Sequence, residues 1–266
     1  MKIIRGKKVL ITGAGSGIGR SIALALAAEG ADIYLMDINA ATLAETAREA
    51  KKHGVEVVTA ICDLSQPSEI SAAVKALLAT WGCLNVLVNN AGVSHFGPTH
   101  RMTDDEWHKV LSVNLLAPVQ LVRELLPTLV AQEEAHILNV ASLLGLVTIR
   151  KMAAYQTSKF ALVGFSAALR AEYASRGFGV TVLCPGFVRT PMFEELASKQ
   201  RRETPSWIYV TPEEVAGKAI AAIRANRALQ VVSRLGWIYW WMSRLFPGLV
   251  DWLNREGWRR RGRVKI

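Results

Sequence analysis

The segment that decides the fold is VLITGAGSGIGRSIALALAAEGADIYLMD, residues 9–37. It begins with a short apolar run at 9–12, which leads into a glycine-rich stretch. An alanine-rich stretch follows at 21–28, and a second apolar run at 33–36 ends at Asp37. Short apolar runs bounded by turn residues predict strands, and the alanine-rich stretch between them predicts a helix. The segment therefore predicts a strand–helix–strand unit.

The same alternation continues to about residue 232. Apolar periodicity predicts strands at 56–61, 85–89, 136–140, 180–184 and 229–232, and helices at 40–53, 67–80, 104–114, 117–131, 154–175 and 212–224. Two capping boxes mark helix starts, one at Thr103 with Glu106 and one at Thr211 with Glu214. Alternating strands and helices predict a doubly wound α/β fold, a parallel sheet with helices on both faces.

The chain of 266 residues is expected to form one such domain at 1–234, with an appendage at 235–266. The apolar run near the N-terminus is too short for a signal peptide. Its three cysteines, Cys62, Cys83 and Cys184, are far apart and lack metal-ligand spacing. We therefore expect a reducing, cytoplasmic environment, with neither a disulfide framework nor a metal site.

The glycine-rich stretch TGAGSGIG occupies residues 12–19, directly between the first strand and the first helix. Glycines there let backbone amides approach a pyrophosphate at the helix N-terminus. Asp37 ends the second strand, where a carboxylate accepts hydrogen bonds from ribose hydroxyls and repels a 2′-phosphate. Ile38, which follows, supplies no cation for such a phosphate. The pattern favours NAD over NADP.

Tyr155 and Lys159 are four residues apart on a predicted helix and so share one face. An ammonium beside a phenol lowers the phenol pKa, which would let Tyr155 exchange a proton with an alcohol or a ketone. Ser142, at a strand end, is placed to hydrogen-bond the substrate oxygen. Asn114 offers an amide that could hold a water against the lysine. The four residues are candidate catalytic residues.

Several motifs together resemble the short-chain dehydrogenase/reductase family: TGAGSGIG at 12–19, NNAG at 89–92, YQTSK at 155–159 and PGFVRT at 185–190, with Asn114 and Ser142. The resemblance covers about residues 5–232. It implies a single-domain Rossmann-type sheet of seven parallel strands in the order 3-2-1-4-5-6-7. It also implies an NAD(P)-dependent oxidoreductase acting on CH–OH groups and forming homodimers or homotetramers.

The resemblance also implies a set of cofactor-binding residues. Asp63 would meet the adenine edge, Asn90 the adenosine ribose, and Val188 and Thr190 the nicotinamide carboxamide. The full set is Gly13, Ser16, Gly17, Ile18, Gly19, Asp37, Asp63, Leu64, Asn90, Ala91, Gly92, Tyr155, Lys159, Pro185, Gly186, Val188 and Thr190.

The segments SLLGLVT at 142–148 and FVRTPMF at 187–193 are mostly apolar. They favour a lipophilic secondary alcohol or ketone, such as a steroid, retinoid, terpene or long-chain compound, with oxidation as the direction that NAD favours. The alternative is that these side chains only pack under a loop. Candidate substrate-lining residues are His95, Leu144, Phe187, Met192 and Phe193.

The ending WIYWWMSRLFPGLVDWLNREGWRRRGRVKI, residues 237–266, combines tryptophans with a basic tail. From Lys218 onward there are eleven Lys or Arg against Asp251 and Glu256, a net charge of +9. Arg, Pro and Asp within the stretch exclude a membrane span, which needs about 20 nearly uninterrupted apolar residues. We expect two short amphipathic helices broken at Pro247 and Gly248.

Three occupants of the apolar face stay open at this point: the core of the protein or a second subunit, an anionic bilayer surface, or the mouth of the active site. Specific nucleic-acid binding is disfavoured because the basic tail accompanies no known nucleic-acid-reading motif. The competing class of protein is a catalytically silent nucleotide sensor that docks a partner or a membrane through this ending.

Overall fold

The computed structural model describes residues 1–174, 177–190 and 209–252. Its strands are β1 (Lys8–Thr12), β2 (Asp32–Asp37), β3 (Val57–Ile61), β4 (Val86–Asn89), β5 (Ala135–Val140), β6 (Phe178–Cys184) and β7 (Leu229–Val231). All of them pair in parallel in one sheet, in the order β3-β2-β1-β4-β5-β6-β7. This order confirms the expected doubly wound topology.

The helices are α1 (Gly17–Ala28), α2 (Ala40–Lys51), α3 (Pro67–Trp81), α4 (Asp104–Leu111), α5 (Ala117–Val130), α6 (Ala153–Tyr173), α7 (Pro212–Arg224) and α8 (Arg234–Leu245). Both expected capping boxes are present, at the starts of α4 and α7. Two separate helices were expected at 104–131, but a π-helical turn, Ser112–Leu116, joins α4 to α5. Pro118 is tolerated there because it lies in the first turn of α5.

The sheet is buried on both faces because successive residues of each strand point to opposite sides. In β1, Val9 and Ile11 belong to one apolar cluster with α1, α2 and α7. Leu10 belongs to a second cluster, with α3, α5 and α6. Helices therefore cover both faces, which explains why the strands are nearly continuous apolar runs.

The carboxyl ends of five strands meet at one edge of the sheet. Their last residues are Thr12, Asp37, Asn89, Val140 and Cys184. Chain order reverses between β1 and β4, which are neighbours in the sheet. In open α/β sheets, ligands bind in the crevice outside the carboxyl ends at such a reversal. The loops after these residues form the region where a site is expected.

By length and composition, the helical run Asp104–Val130 is the one helix among the described residues that could cross a membrane, with a mean hydropathy of 1.2 over its most apolar window. In the fold, its residues Leu121, Leu125 and Leu129 are buried in the cluster formed with α3 and α6. The run is therefore a core helix of the domain, a type of helix that meets the same criteria.

The C-terminal region forms α8, a break at Phe246, and a further helical stretch at 247–252. The break was expected at Pro247 and Gly248 and lies one residue earlier. Pro247 instead begins the second stretch, where its missing N–H would have no helical partner in any case. Residues 253–266 lie outside the described part of the chain.

His136 is a buried histidine between β5 and β6. Its Nε2 lies 2.9 Å from Oγ1 of Thr181, which donates to the carbonyl oxygen of Arg227. A Cβ at Gly179, its register partner on β6, would overlap the imidazole ring. Burial lowers the pKa of His136 from 6.5 to about 3. The folded protein therefore holds this ring neutral.

The free energy of unfolding should fall as the pH drops from 6.5 towards 3, because the unfolded chain protonates His136 and the folded chain does not. The expected contribution is about 1.4 kcal/mol per pH unit. Urea titrations across this range should give a flatter profile for His136→Gln. The exposed His100→Gln is the control, and equal slopes for wild type and His136→Gln would contradict the assignment.

Candidate active site

The turn after β1 is shaped for close approach of a ligand to the backbone. Gly13 and Gly17 have φ values of +64° and +51°, which favour glycine. A Cβ at Gly19 would overlap the carbonyl oxygen of Gly13. Ser16 is the N-cap of α1, and its side chain makes no capping bond to the helix. The first amides of α1, at Gly17 and Ile18, could therefore hold a phosphate group.

Asp37 is fixed beside this turn. Its Oδ2 accepts a hydrogen bond from the Gly15 amide at 2.8 Å, and its Oδ1 accepts one from the Asn39 amide at 2.9 Å. Each carboxylate oxygen keeps a free lone pair. Ile38, the next residue, is exposed. The position suits a carboxylate that accepts ribose hydroxyls, as the sequence predicts.

Asn90 braces the glycine-rich turn from β4. Its side-chain nitrogen donates to the carbonyl oxygens of Thr12 and Gly13, at 3.0 and 3.2 Å. Oγ1 of Thr12 accepts the amides of Asn90 and Ala91. Both amide hydrogens of Asn90 are thus used within the protein, which leaves its Oδ1 and backbone for any ribose contact.

Asp63 and Leu64 follow β3 at the far end of the crevice. Oδ1 of Asp63 accepts the Ser65 amide at 2.8 Å, and the Asp63 amide donates to Oε2 of Glu69 at 2.7 Å. Leu64 is buried against Ile70 and its neighbours. This turn is rigidly held at the rim where the adenine edge is expected.

The loop after β6 returns to the glycine-rich turn. It begins at Pro185 and Gly186, and Val188 forms a parallel bridge with Val210. A Cβ at Gly17 would lie 3.0 Å from Cγ2 of Thr190. Thr190 therefore sits over the phosphate-binding turn, opposite the catalytic candidates. Met192 and Phe193 lie outside the described residues.

Three catalytic candidates converge from β5 and α6. The phenol of Tyr155 shares a hydrogen bond with the side chain of Ser142. Nζ of Lys159 lies 5.7 Å from the centre of the Tyr155 ring and donates to the carbonyl oxygen of Val140 at 3.0 Å. Oγ of Ser142 accepts the Leu144 amide at 3.1 Å, which leaves the hydroxyl hydrogen available to donate.

Burial dominates the protonation of this group. It raises the pKa of Tyr155 above 10.0, against the opposing hydrogen bond from Ser142. It lowers the pKa of Lys159 to about 8. This differs from the expectation that Lys159 lowers the phenol pKa, because desolvation outweighs the ammonium in the ligand-free protein. Tyr155 holds its proton at neutral pH in this state.

Asn114 lies in the π-helical turn and is fully buried. Its Nδ2 donates to the carbonyl oxygen of Val93 at 2.9 Å and to Oγ of Ser158 at 3.0 Å, and its Oδ1 accepts the Val93 amide at 2.8 Å. The amide nitrogen is therefore committed to the protein. A Cβ at Gly92 would lie 3.2 Å from Oδ1 of Asn114 and 3.4 Å from Nζ of Lys159. Only Oδ1 of the amide could contact a water near the lysine.

Two residues of the site were missed in the sequence. Oγ of Ser158 donates to the carbonyl oxygen of Tyr155 at 2.7 Å and links it to Asn114. Cys184 is a buried thiol beside Ser142, and burial raises its pKa to about 12. Ser158 stands inside the YQTSK motif, so that motif was the available signal. Cys184 carried no signal beyond its place before Pro185.

The substrate candidates divide by position. Leu144 is held to Ser142, and Phe187 is partly exposed in the loop after β6. Nδ1 of His95 lies 3.5 Å from Oε1 of Glu106 at the start of α4. The loop of His95 is joined to the segment before α6 by the Gly97 amide, which donates to the carbonyl oxygen of Lys151 at 2.9 Å.

Known proteins share this architecture. Residues 7–201 match the family model described as short chain dehydrogenase. The putative ketoacyl reductase 1 of the granaticin polyketide synthase of Streptomyces violaceoruber is 37% identical over 207 residues, 77% of this chain and 74% of that protein. The 17-beta-hydroxysteroid dehydrogenase 13 of Mus musculus is 35% identical over 231 residues, 86% of this chain and 74% of that protein.

Solved structures agree. A short-chain dehydrogenase/reductase from Burkholderia phymatum in complex with NAD superposes with a TM-score of 0.83 at 28% identity, covering 94% of this chain and 96% of that one. A putative NAD(P)-dependent gluconate 5-dehydrogenase from Beutenbergia cavernae, with bound NADP, gives a TM-score of 0.79 at 33% identity, covering 86% of this chain and 96% of that one.

The sheet, the glycine-rich turn and the Ser–Tyr–Lys group define an NAD(P)-dependent oxidoreductase that interconverts CH–OH groups and ketones. The chain belongs to the short-chain dehydrogenase/reductase family.

Proposed function

We propose that the protein transfers a hydride between NAD(H) and a lipophilic secondary alcohol or ketone, with Tyr155 as general acid/base. The observation that carries the proposal is the hydrogen bond between Tyr155 and Ser142, with Lys159 beneath the phenol ring. Bound NAD would supply the hydride acceptor. The glycines of the turn after β1 support its binding, because side chains there would fill the space beside the backbone.

Each catalytic candidate has a separate proposed task. Tyr155 gives its proton to a ketone oxygen or takes one from an alcohol. The hydroxyl of Ser142 donates to the same oxygen as charge develops on it. The Lys159 ammonium stabilises the phenolate form of Tyr155. Asn114 positions this group by binding Ser158, and its Oδ1 provides a contact for a water beside Lys159.

The cofactor turn can be tested at Gly19. In Gly19→Ala, the added methyl group meets the carbonyl oxygen of Gly13 and the side chain of Asn90, so the turn must move. We expect NADH binding, measured by fluorescence titration, to weaken by about tenfold or more, a loss of about 1.4 kcal/mol. Gly217→Ala on α7 is the matched control because nothing lies within 4 Å of its Cβ. Equal loss in both variants would contradict the role of the turn.

Asp37 supports a preference for NAD, although structures of relatives contain NAD in one case and NADP in another. Removing the carboxylate removes the repulsion of a 2′-phosphate. In Asp37→Ala we expect the ratio of kcat/KM for NAD to that for NADP to fall by about tenfold or more. Asp37→Asn, which keeps the side-chain shape, should give a similar loss. A wild-type preference for NADP would overturn the assignment.

The lipophilic substrate is supported by the apolar loops around the catalytic group. Leu143, Leu144 and Leu146 follow Ser142 directly, and Phe187 is partly exposed in the opposite loop. The similar proteins include one named as a ketoacyl reductase and one named as a hydroxysteroid dehydrogenase. Both names describe substrates with a carbonyl or a secondary alcohol on a largely hydrocarbon skeleton.

The test is a substrate panel followed at the nicotinamide absorbance. It contains steroid, retinoid, terpene and long-chain secondary alcohols with NAD, the matching ketones with NADH, and sugar acids as the polar counterpart. We expect the highest kcat/KM among the lipophilic compounds. Turnover of sugar acids alone would overturn the substrate class, and no turnover at all with intact NADH binding would support a silent nucleotide sensor.

The remaining expectations concern assembly and location. We propose a cytoplasmic homo-oligomer, supported by exposed apolar side chains at Leu116 and Phe160 on the face of α5 and α6. We also propose that 1–234 form the catalytic domain and that 235–266 are an appendage in peripheral contact with a membrane. Light scattering on the purified protein would measure the oligomer, and a monomer would contradict it.

A further inference from the structure

The outer side of α8 is an exposed apolar stripe. Ile238, Trp241 and Leu245 are spaced three and four residues apart and so share one face of the helix. Their relative exposures are 63%, 50% and 62%. Side chains of this size are seldom left in water on neighbouring turns unless the surface has a partner. We call Ile238, Trp241 and Leu245 the outer stripe.

The stripe continues past the break at Phe246. Phe246, Leu249 and Trp252 are also exposed, whereas Val250 is buried. The two helical segments therefore expose six large apolar side chains in close succession. The expectation that this ending packs on its own core holds only for the inner side.

The inner side of α8 is anchored next to the catalytic loop. A Cβ at Gly236 would lie 3.3 Å from Cδ1 of Leu143, the residue after Ser142. Trp237 packs against the apolar cluster that contains Ala141 and Cys184. Trp240 stands edge-on to Trp237, with ring centres 5.0 Å apart. Docking through the outer stripe would therefore occur beside the mouth of the active site.

A network of aromatic rings links the two sides of α8. The rings of Trp240 and Trp241 lie 5.2 Å apart, and the guanidinium of Arg244 lies 5.5 Å from the Trp240 ring centre. Edge-on aromatic pairs and cation–π contacts restrict the side chains they join. The outer stripe is thus held on a preformed surface, which lowers the entropy loss on docking.

Charge selects among the possible occupants of this surface. Residues 218–266 carry a net charge of +9, and Arg234 and Arg244 are exposed on α8 itself. A second copy of the chain would bring the same positive charge to the interface. An anionic phospholipid surface attracts it, and tryptophan is enriched at the level of the lipid headgroups.

We propose that the outer stripe docks on an anionic phospholipid bilayer, with Phe246, Leu249 and Trp252 extending the contact. This placement sets the Leu143 loop at the membrane surface, so that a lipophilic substrate passes from lipid to Tyr155 without crossing bulk water. That second statement rests on the proposed substrate class. The docking itself does not depend on any reaction.

Vesicle flotation tests the docking directly. The full chain is mixed with vesicles of phosphatidylcholine alone or with added phosphatidylglycerol, at low and at high ionic strength. We expect the wild-type protein to float with the anionic vesicles and to detach as salt screens the charge. The triple variant Ile238→Ser, Trp241→Ser, Leu245→Ser should lower the partition coefficient by about tenfold or more.

Two controls make the result specific. Ile3→Ser removes an equally exposed apolar side chain at the N-terminus and should float like the wild type. NADH binding should be the same in all variants, which separates loss of docking from loss of folding. Because flotation requires no turnover, its outcome is independent of the proposed reaction.

Three outcomes would overturn the proposal. In the first, the triple variant floats as well as the wild type. In the second, light scattering shows that the triple variant has lost a subunit contact while vesicle binding is unchanged, so that a second copy covers the stripe. In the third, the triple variant changes turnover of a water-soluble alcohol and leaves flotation unchanged, so that the stripe belongs to an active-site lid.

Discussion

Tyr155→Phe should bind NADH as tightly as the wild-type protein and lose about a thousandfold or more in kcat, within the range that general acid/base catalysis supplies. The substitution removes one oxygen atom and keeps the ring that packs over Lys159. Ser142 and Lys159 stay in place, so cofactor binding and folding have no reason to change. The loss falls on the proton transfer alone.

The measurement is single-substrate kinetics on the best compound of the panel, alongside NADH fluorescence titration. Tyr173→Phe is the matched control, because it makes the same chemical change on the same helix, next to Phe178 and away from the catalytic group. We expect this control to keep its kcat. If Tyr155→Phe retained near-normal turnover, the proton would have to come from another group and the proposed mechanism would fail.

Lys159→Met should lose activity and gain stability. Burial lowers the pKa of this lysine from 10.5 to about 8, so at pH 7 the fold carries a buried ammonium that the unfolded chain would solvate. The difference of about 2.5 pKa units corresponds to about 3 kcal/mol. Loss of the hydrogen bond to Val140 offsets about 1 kcal/mol of this. We expect a net gain of about 2 kcal/mol at pH 7, by the same arithmetic.

The pH dependence of this gain has a definite sign. Between pH 8 and 10.5 the unfolded wild-type chain binds a proton at Lys159 that the folded protein does not, so wild-type stability rises with pH. The advantage of Lys159→Met over the wild type should therefore shrink across that interval in urea titrations. Lys75→Met on the exposed side of α3 is the control. A variant that is less stable than the wild type at pH 7 would show that the ammonium stabilises the fold.

Much of the fold could be predicted because each strand is buried on both faces. Such strands are short, continuous apolar runs, and the glycines and Asp37 after the first two mark the cofactor side of the sheet. The strand order came from the family resemblance, since periodicity does not encode it. The π-helical turn could not be predicted, because its hydrogen bonds depend on Asn114 finding partners on Val93 and Ser158.

The catalytic group shows a similar limit. The spacing of Tyr155 and Lys159 predicts that they share a helix face, and they do. Spacing cannot predict how far burial shifts their pKa values, since the elements that exclude water come from distant parts of the chain. The same holds for α8. Its pattern predicts an apolar face, but which residues of it stay exposed depends on where Gly236 meets Leu143.

Gly179 and His136 face each other across β5 and β6, in space that only one of them can fill. The two positions are therefore expected to vary together among related sequences. A side chain at 179 should occur only where the residue at 136 is small, and a histidine at 136 should be accompanied by glycine at 179. An alignment of relatives would display this as covariation between two adjacent strands, at a place far from any ligand.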